Sequence, residues 1–471
     1  MNNTINSKKL TALIGLLLGL TMNNANAVTY NLCAGTTTIT MPDSTLVPMW
    51  GFGLDEDNDL ATVEPCPVTV PGPEISVPIA DSTLTINLRN DLPVTAEPVS
   101  IVIPGQNTSL NPQTFVDASG RTRVRSFTDE TATDGGITSY SWNNVQPGSY
   151  LYHSGTHLQV QVQMGLYGAV TKDAASGQAY PGIAYDERVT VLYSEIDPAL
   201  HNAVDNGSYT ACTAGFATCN AEKSAGQTPS IINYRPVYFL VNGESFTSKQ
   251  QASIWLGTTP GNTNSKDILL RFLNAGIKTH VPVLQGGRLK VISENGEAYN
   301  HPKNQYSVAL PALTTKDAIF SIADFDTPKS FALYDRALDI TNASEEVPGG
   351  LISFLIVDND NDDDLIPNYA DNCVEIANPN QEDTDNNGDG DGFGDACDGD
   401  FGSVPNVVDL SDHSVMLGLI GTPGPLGDFN IAVSPGVTLT DFSIFLGLIG
   451  QPPGPSCVSV PVSDQSLCPV F

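Results

Sequence analysis

Two groups of residues in this 471-residue chain have types and spacings that could do chemistry. The first is His153 and His157 in "GSYLYHSGTHLQVQVQMGLYGA" (148–169), separated by Ser154-Gly155-Thr156. Imidazole suits copper and other transition metals, with bonds of roughly 2.0–2.1 Å. Along a straight strand four residues span about 13 Å, too far for two ligands of one ion. A turn at Ser154-Gly155-Thr156 would bring the rings together. The spacing therefore admits an open single-metal site at His153 and His157, or two histidines that only hydrogen-bond a sheet. The second group is acidic. Asp358, Asp360, Asp362 and Asp364 fall on alternate positions, and Asp371, Asp383, Asp385, Asp389, Asp391, Asp395 and Asp398 follow. Calcium takes roughly six to eight oxygen ligands, and Gly388, Gly390, Gly392 and Gly394 let the backbone wrap tightly around an ion. These aspartates are the candidate calcium ligands.

Other chemistries find little support. His201, His280, His301 and His413 have no paired neighbour in sequence and read as structural or exposed. There is no nucleophile elbow, phosphate loop or HExxH string. The net charge of −32 is uneven: no Lys or Arg follows Arg336, while 358–400 holds thirteen Asp and two Glu. That field repels nucleic acid and anionic lipid and attracts cations, so nucleic-acid binding is excluded.

The elements that must position these groups begin with a secretory signal over residues 1–27. Lys8 and Lys9 supply its charge, Leu10 to Leu20 its apolar stretch, and Ala25-Asn26-Ala27 its cleavage site. The stretch is too short to span a bilayer and no later one is longer. The expectation is secretion, extracellular or periplasmic, after cleavage near Ala27. Eight cysteines then meet an oxidising compartment. Sequence cannot fix their connectivity; pairing of neighbours gives Cys33–Cys66, Cys212–Cys219, Cys373–Cys397 and Cys457–Cys468. If all are bridged, no thiolate is left as a nucleophile or copper ligand.

The fold expected is mainly β. Alternating runs such as "EISVPIADSTLTINLRN" (74–90) and "HLQVQVQM" (157–164), cut by turn formers, indicate two β-sandwiches over 28–180 and 181–357. "DAASGQAYPGIAYDE" marks the join. Residues 358–400 have too few apolar side chains for a core. Within 401–471 lies a repeat, "VDLSDHSVMLGLIGTPGP" (408–425) and "VTLTDFSIFLGLIGQPPGP" (437–455). Each copy predicts a short apolar helix, too short to stand alone, so the pair must pack on itself or on a partner. A protein partner or self-assembly through this module is the expectation.

Three resemblances sharpen these expectations. Asp371-Asn372-Cys373, Asn378, Gln381, Asp383, Asp385 and "DGFGDACD" (391–398) resemble the thrombospondin type 3 repeat, which implies calcium binding over 358–400 and a stapling pair at Cys373 and Cys397. An insertion around 386–388 and Asp363 in place of Gly depart from that pattern. The helix repeat resembles dockerin-like modules, whose calcium positions match Asp400, Asp409 and Asp412 in the first copy and Asp428, Asn430 and Asp441 in the second. Both loops lack the central Asp-Gly turn ("GSVPN", "IAVSPG"), so a helix pair held by packing alone is an equal reading. Finally, 71–92 and 148–169, with "VYFLVNGESF" (237–246), "LLRFLNAG" (269–276) and "LKVISENGEAY" (289–299), resemble the first two cupredoxin domains of bacterial multicopper oxidases.

That family holds a trinuclear copper centre with paired histidines. His153 falls on the first histidine of its "YHSH"-type string and His157 replaces the second at a longer spacing. The family's "HWHG"-type string maps near "SIVIPGQN" (100–107), where no histidine stands, and nothing matches its His-Cys-His string for blue copper. The resemblance thus implies cupredoxin sandwiches and copper at His153 and His157, without a complete four-copper centre. Two functions follow as expectations: a secreted, copper- and calcium-binding relative of multicopper oxidases, or a non-catalytic, calcium-dependent surface or matrix protein with the sandwiches as scaffold.

Overall fold

Leu84, Ile86 and Leu88 alternate with polar residues in "DSTLTINLRN", and in the computed structural model of the protein all three are fully buried on one face of a strand. The same period-2 logic builds most of the molecule. The structure describes residues 26–55, 67–209 (except 94 and 118), 234–247, 253–258, 266–322, 329–343, 349–359, 371–382, 394–397, 410–421 and 437–449, with positions 362, 364, 366, 368 and 399. Of the segment expected to be a signal, residues 1–25 lie outside them, and Asn26 and Ala27 open the first strand.

The first sandwich contains β1 (Asn26–Thr40), β2 (Leu46–Leu54), β3 (Gly72–Val77), β4 (Asp81–Asn90), β5 (Gln113–Val116), β6 (Thr122–Ser126), β7 (Gly136–Asn143), β8 (Gly148–His153), the short helix α1 (Leu158–Gln161) and β9 (Tyr167–Lys172). One sheet runs β2-β1-β4-β7 and faces another running β3-β9-β8, with β5 and β6 as a separate hairpin. Phe52, Tyr140, Trp142 and Tyr152 fill the space between them.

A small hairpin, β10 (Gln178–Tyr180) and β11 (Ile183–Ala184), leads to the second sandwich. This contains β12 (Glu187–Ile196), α2 (Pro198–Asp205), β13 (Tyr238–Val241), β14 (Ser253–Thr258), β15 (Lys266–Asn274), β16 (Pro282–Leu284), β17 (Leu289–Glu294), β18 (Glu297–Gln305), β19 (Thr315–Ile322), β20 (Lys329–Asp335) and β21 (Ile352–Asn359). Its sheets are β13-β12-β15-β19-β17-β18 and β14-β21-β20-β16. The two sandwiches share one topology. In each, a parallel pair is extended by an antiparallel strand: β1, β4 and β7 correspond to β12, β15 and β19, and β3, β9 and β8 to β14, β21 and β20.

The sequence expectation fails at 157–164. The run alternates apolar residues with glutamine, but it folds as α1 and turns rather than as a strand. His157 takes a left-handed backbone (φ 42°) that breaks the extension of β8. Alternation misleads here because both sets are buried: Val160, Val162 and Met164 pack in the core, and Gln161 and Gln163 are buried with hydrogen-bond partners. Beyond β21, Cys373 and Cys397 form a disulfide (Cα–Cα 5.6 Å). Cys33 is also disulfide-bonded, while Cys66, Cys212, Cys219, Cys457 and Cys468 lie outside the described residues. The apolar repeats form α3 (Leu410–Leu419) and α4 (Leu439–Leu448), which pack around Met416, Val437 and Phe445.

Candidate metal centres

His153 closes β8 and is almost fully buried. Its backbone bridges to Val102 in both directions, with Val102 N–H to His153 O at 2.9 Å and His153 N–H to Val102 O at 3.0 Å. Its Nδ1 lies 2.9 Å from the Ser154 carbonyl oxygen. A carbonyl only accepts, so Nδ1 carries the hydrogen. Burial holds the imidazole pKa below its ordinary value despite that hydrogen bond, leaving a neutral ring whose Nε2 lone pair is buried without a partner. A neutral imidazole fixed by a backbone carbonyl is the usual form of a metal-binding histidine.

The surroundings are less suited to copper. The hydroxyl oxygens of Ser100, Ser126 and Thr156 lie 3.0 Å from one another. Gly155 N–H donates to Ser100 Oγ at 3.0 Å, and Thr156 also reaches Glu130 Oε1 at 3.3 Å. Ser154 Oγ donates to Gln161 Oε1 at 2.6 Å, and Gln161 Nε2 donates to the Pro98 carbonyl at 3.0 Å. The turn after His153 is thus docked by hydroxyls and amides, which are weak copper ligands. Across that turn, His157 faces Glu97, with Nδ1 2.6 Å from Oε2, and its ring packs 5.9 Å from that of Tyr209. Among the described residues, neither histidine belongs to a group of three His, Cys, Asp or Glu ligand atoms lying within 4.8 Å of one another.

Two such groups do exist. One joins Asp362, Asp364 and Asp371. Asp364 accepts from Ile366 N–H and Asn378 N–H, both at 2.8 Å, and Asp371 Oδ1 accepts from Cys373 N–H and Gln381 Nε2 at 2.8 and 2.9 Å. Asn378 Nδ2 donates to Asn372 Oδ1 at 2.6 Å, so the Asn and Gln of the sequence pattern serve as braces for the carboxylates. Asp395 is buried beside Cys397 in the chain. Of Asp358 only the backbone, at the end of β21, is described; Asp360, Asp383, Asp385, Asp389, Asp391 and Asp398 lie outside the described residues. So do Asp400, Asp409, Asp428 and Asn430. Asp412 and Asp441 are buried in the first turns of α3 and α4. Asp441 Oδ2 accepts from Thr438 N–H at 2.7 Å and from its hydroxyl at 2.5 Å, a capping-box arrangement.

The second group, His280, Asp335 and Asp339, was not legible in sequence. His280 stands alone in "KTHVPV", more than fifty residues from either aspartate. Burial alone would pull its pKa down, but the Asp335 and Glu195 carboxylates outweigh it and raise the imidazole to about 9.

Residues 62–175 match the multicopper oxidase family model, a stretch that contains β3 to β9 and both His153 and His157. In three dimensions the chain is similar to the blue copper oxidase from Nitrosomonas europaea, with 16% identity and a TM-score of 0.50 over 71% of this chain and 86% of that one. It is similar to the multicopper oxidase mgLAC to the same degree, with 19% identity and a TM-score of 0.50 over 71% and 87% of the two chains. At such identities these likenesses show the fold, that of cupredoxin sandwiches. No curated protein matches the chain. The first sandwich is therefore a multicopper oxidase-like domain.

Proposed function

We propose that the protein is a secreted, calcium-binding relative of multicopper oxidases that holds at most a single copper, through His153 with His157, and does not run four-copper chemistry. The observation that carries this reading is the hydroxyl cluster of Ser100, Ser126 and Thr156, packed at 3.0 Å where the turn after His153 meets the segment carrying Val102. Ser100 and Val102 belong to the stretch where the family resemblance would place paired imidazoles. His153 itself fits a copper ligand, by its neutral ring and buried Nε2. Copper held there would supply one-electron redox chemistry. The chain's own contribution is to fix the ring tautomer through the Ser154 carbonyl and to keep water from it. Calcium binding rests on the clustered oxygens of Asp362, Asp364 and Asp371, stapled by Cys373–Cys397.

Metal analysis with electron paramagnetic resonance on the purified chain tests this. One copper per chain is expected, lost in His153→Ala/His157→Ala; three or four coppers would overturn it. A second reading, a calcium-dependent surface or matrix protein with no copper, is favoured by the helix pair, where Leu417, Leu439 and Leu446 are exposed and available to a partner or a second copy. Calcium without copper in the same analysis would select it.

A further inference from the structure

We propose that His280, Asp335 and Asp339 form a zinc-type divalent metal site in the second sandwich, separate from the copper and calcium positions. The three residues come from two segments that the fold brings together. His280 precedes β16, where it bridges to Leu310. Asp335 ends β20, and Asp339 follows a turn in which Leu338 N–H donates to the Asp335 carbonyl at 3.1 Å. Glu195, from β12, closes the cluster behind the imidazole.

Each of the three side chains has one polar atom held by the chain and one left over. His280 Nε2 lies 2.7 Å from Glu195 Oε2, and Glu195 is itself fixed by the Ile277 and Lys278 N–H groups, both 2.8 Å from Oε1. Asp335 Oδ1 accepts from Val281 N–H at 2.6 Å. Asp339 Oδ1 pairs with Lys278 Nζ at 2.6 Å. The remaining atoms, His280 Nδ1, Asp335 Oδ2 and Asp339 Oδ2, are buried without a hydrogen-bond partner, and they converge. Nδ1 stands 3.6 Å from Asp335 Oδ2 and 3.8 Å from Asp339 Oδ2, and all three lie within 4.8 Å. Those separations are too long for hydrogen bonds. A tetrahedral ion with bonds of roughly 2.0–2.1 Å sets its ligands about 3.3–3.4 Å apart, so the two separations from Nδ1 need shorten by only a few tenths of an ångström.

Donor chemistry selects the ion. One imidazole nitrogen and two carboxylate oxygens suit zinc, which takes four ligands and accepts N and O together. Calcium needs roughly six to eight oxygens, more than this cluster offers. A carboxylate behind the distal imidazole nitrogen, as Glu195 stands here, orients a histidine for a metal and raises its basicity. His280 and Asp335 are fully buried, and the Asp339 side chain, 12% exposed, gives the ion a way in from solvent. Such an ion would clamp the lead into β16 to the end of β20, beside β12.

The rival account is a buried ion pair, in which a protonated His280 balances the carboxylates and no metal enters. A full-length His153→Ala/His157→Ala background removes the competing imidazoles, and saturating calcium fills the acidic segment. The chelator-treated protein is then titrated with Zn²⁺ by calorimetry and with Co²⁺ by visible absorption. The expected result is one Zn²⁺ per chain, a tetrahedral Co²⁺ band, and at least a tenfold weaker affinity in Asp339→Asn and in His280→Gln. If His280→Gln does not fold, Asp339→Asn, altered at the most exposed of the three, carries the comparison. No zinc binding by the folded parent, or unchanged affinity in folded Asp339→Asn, would overturn the site in favour of the ion pair.

Discussion

Ser149 Oγ in the first sandwich donates a 2.6 Å hydrogen bond to Asp317 Oδ1 in the second, and neither side chain reaches solvent. Around this contact the two sandwiches are joined by polar groups rather than by apolar packing alone. Arg271 Nη1 donates to Ser149 Oγ at 2.9 Å, and Thr315 Oγ1 donates to the Ser149 carbonyl at 2.7 Å. Tyr180 Oη and Ser293 Oγ both donate to Asp317 Oδ2, at 2.5 and 3.0 Å. Burial first, and then the Asp317 charge, keep the Tyr180 phenol protonated far above its ordinary range. Such a network fixes the angle between the sandwiches, because its hydrogen bonds can be made together in only one arrangement.

Asp317→Ala should therefore be costly. It removes the acceptor for Ser149, Tyr180 and Ser293 and leaves Arg271, fully buried, with Asp173 as its remaining carboxylate. Breaking one member of a buried charged cluster typically costs about 3–5 kcal/mol. Urea denaturation should show that loss, and limited proteolysis should cut more readily between residues 172 and 187. A loss below about 1 kcal/mol would mean that apolar contacts alone hold the sandwiches together.

His201 makes stability depend on pH. It is fully buried in α2, with Nδ1 2.9 Å from the Pro48 carbonyl, which ties α2 to β2. Burial pulls its pKa down to about 4, against the smaller upward pull of that hydrogen bond. In the unfolded chain the same ring titrates near 6.5. Between those values the unfolded state binds a proton that the native state refuses. Stability is thus full above pH 6.5 and falls as the pH drops toward 4, with no further loss from this group below that. The decrement between pH 7 and pH 5 should be about 2 kcal/mol. Denaturation midpoints for the wild type and His201→Gln across that range check it: the variant should show a shallower fall, and parallel curves would assign the dependence elsewhere.

What could be read from the sequence follows the physics of each signal. β4 was legible because one face of it meets the core and the other does not, so Leu84, Ile86 and Leu88 recur at every second position. Residues 157–164 looked the same but were not, because Gln161 and Gln163 are buried by hydrogen bonds that composition cannot show. The acidic run announces itself, since the alternate spacing of its aspartates is local. The His280 cluster does not: Glu195, His280 and Asp335 meet only after β12, β16 and β20 have been placed in two facing sheets.

The hydroxyl cluster beside His153 supports a third prediction. Thr156→Val keeps the shape of the side chain but removes the group that Ser100 and Ser126 contact at 3.0 Å. Leaving buried hydroxyls short of a partner costs about 1–3 kcal/mol. The midpoint of thermal or urea unfolding should drop accordingly. A neutral or stabilising result would show that the existing Ser126–Ser100 hydrogen bond suffices and that Thr156 is not needed to dock the turn.

Calcium should order the acidic segment, and Gly394 is the position at which to test it without touching a ligand. A methyl group there would stand 2.6 Å from Asn378 Nδ2 and 2.7 Å from Cys373 Sγ, closer than real side chains approach. Both neighbours are fixed, Cys373 by its disulfide and Asn378 by its hydrogen bonds to Asn372 and Asp364. Gly394→Ala must therefore push apart the brace that holds Asp364 and Asp371 near each other. The carboxylate count is unchanged, so any loss of calcium affinity reports geometry and not charge. Calorimetry should show weaker calcium binding in Gly394→Ala, and proteolysis of 358–400 should accelerate both in that variant and in wild type treated with chelator. If chelation leaves the protease resistance of wild type unchanged, the segment is held by its disulfide and hydrogen bonds alone. Equal affinity in the two proteins would place the calcium ligands away from the Asp362, Asp364 and Asp371 cluster.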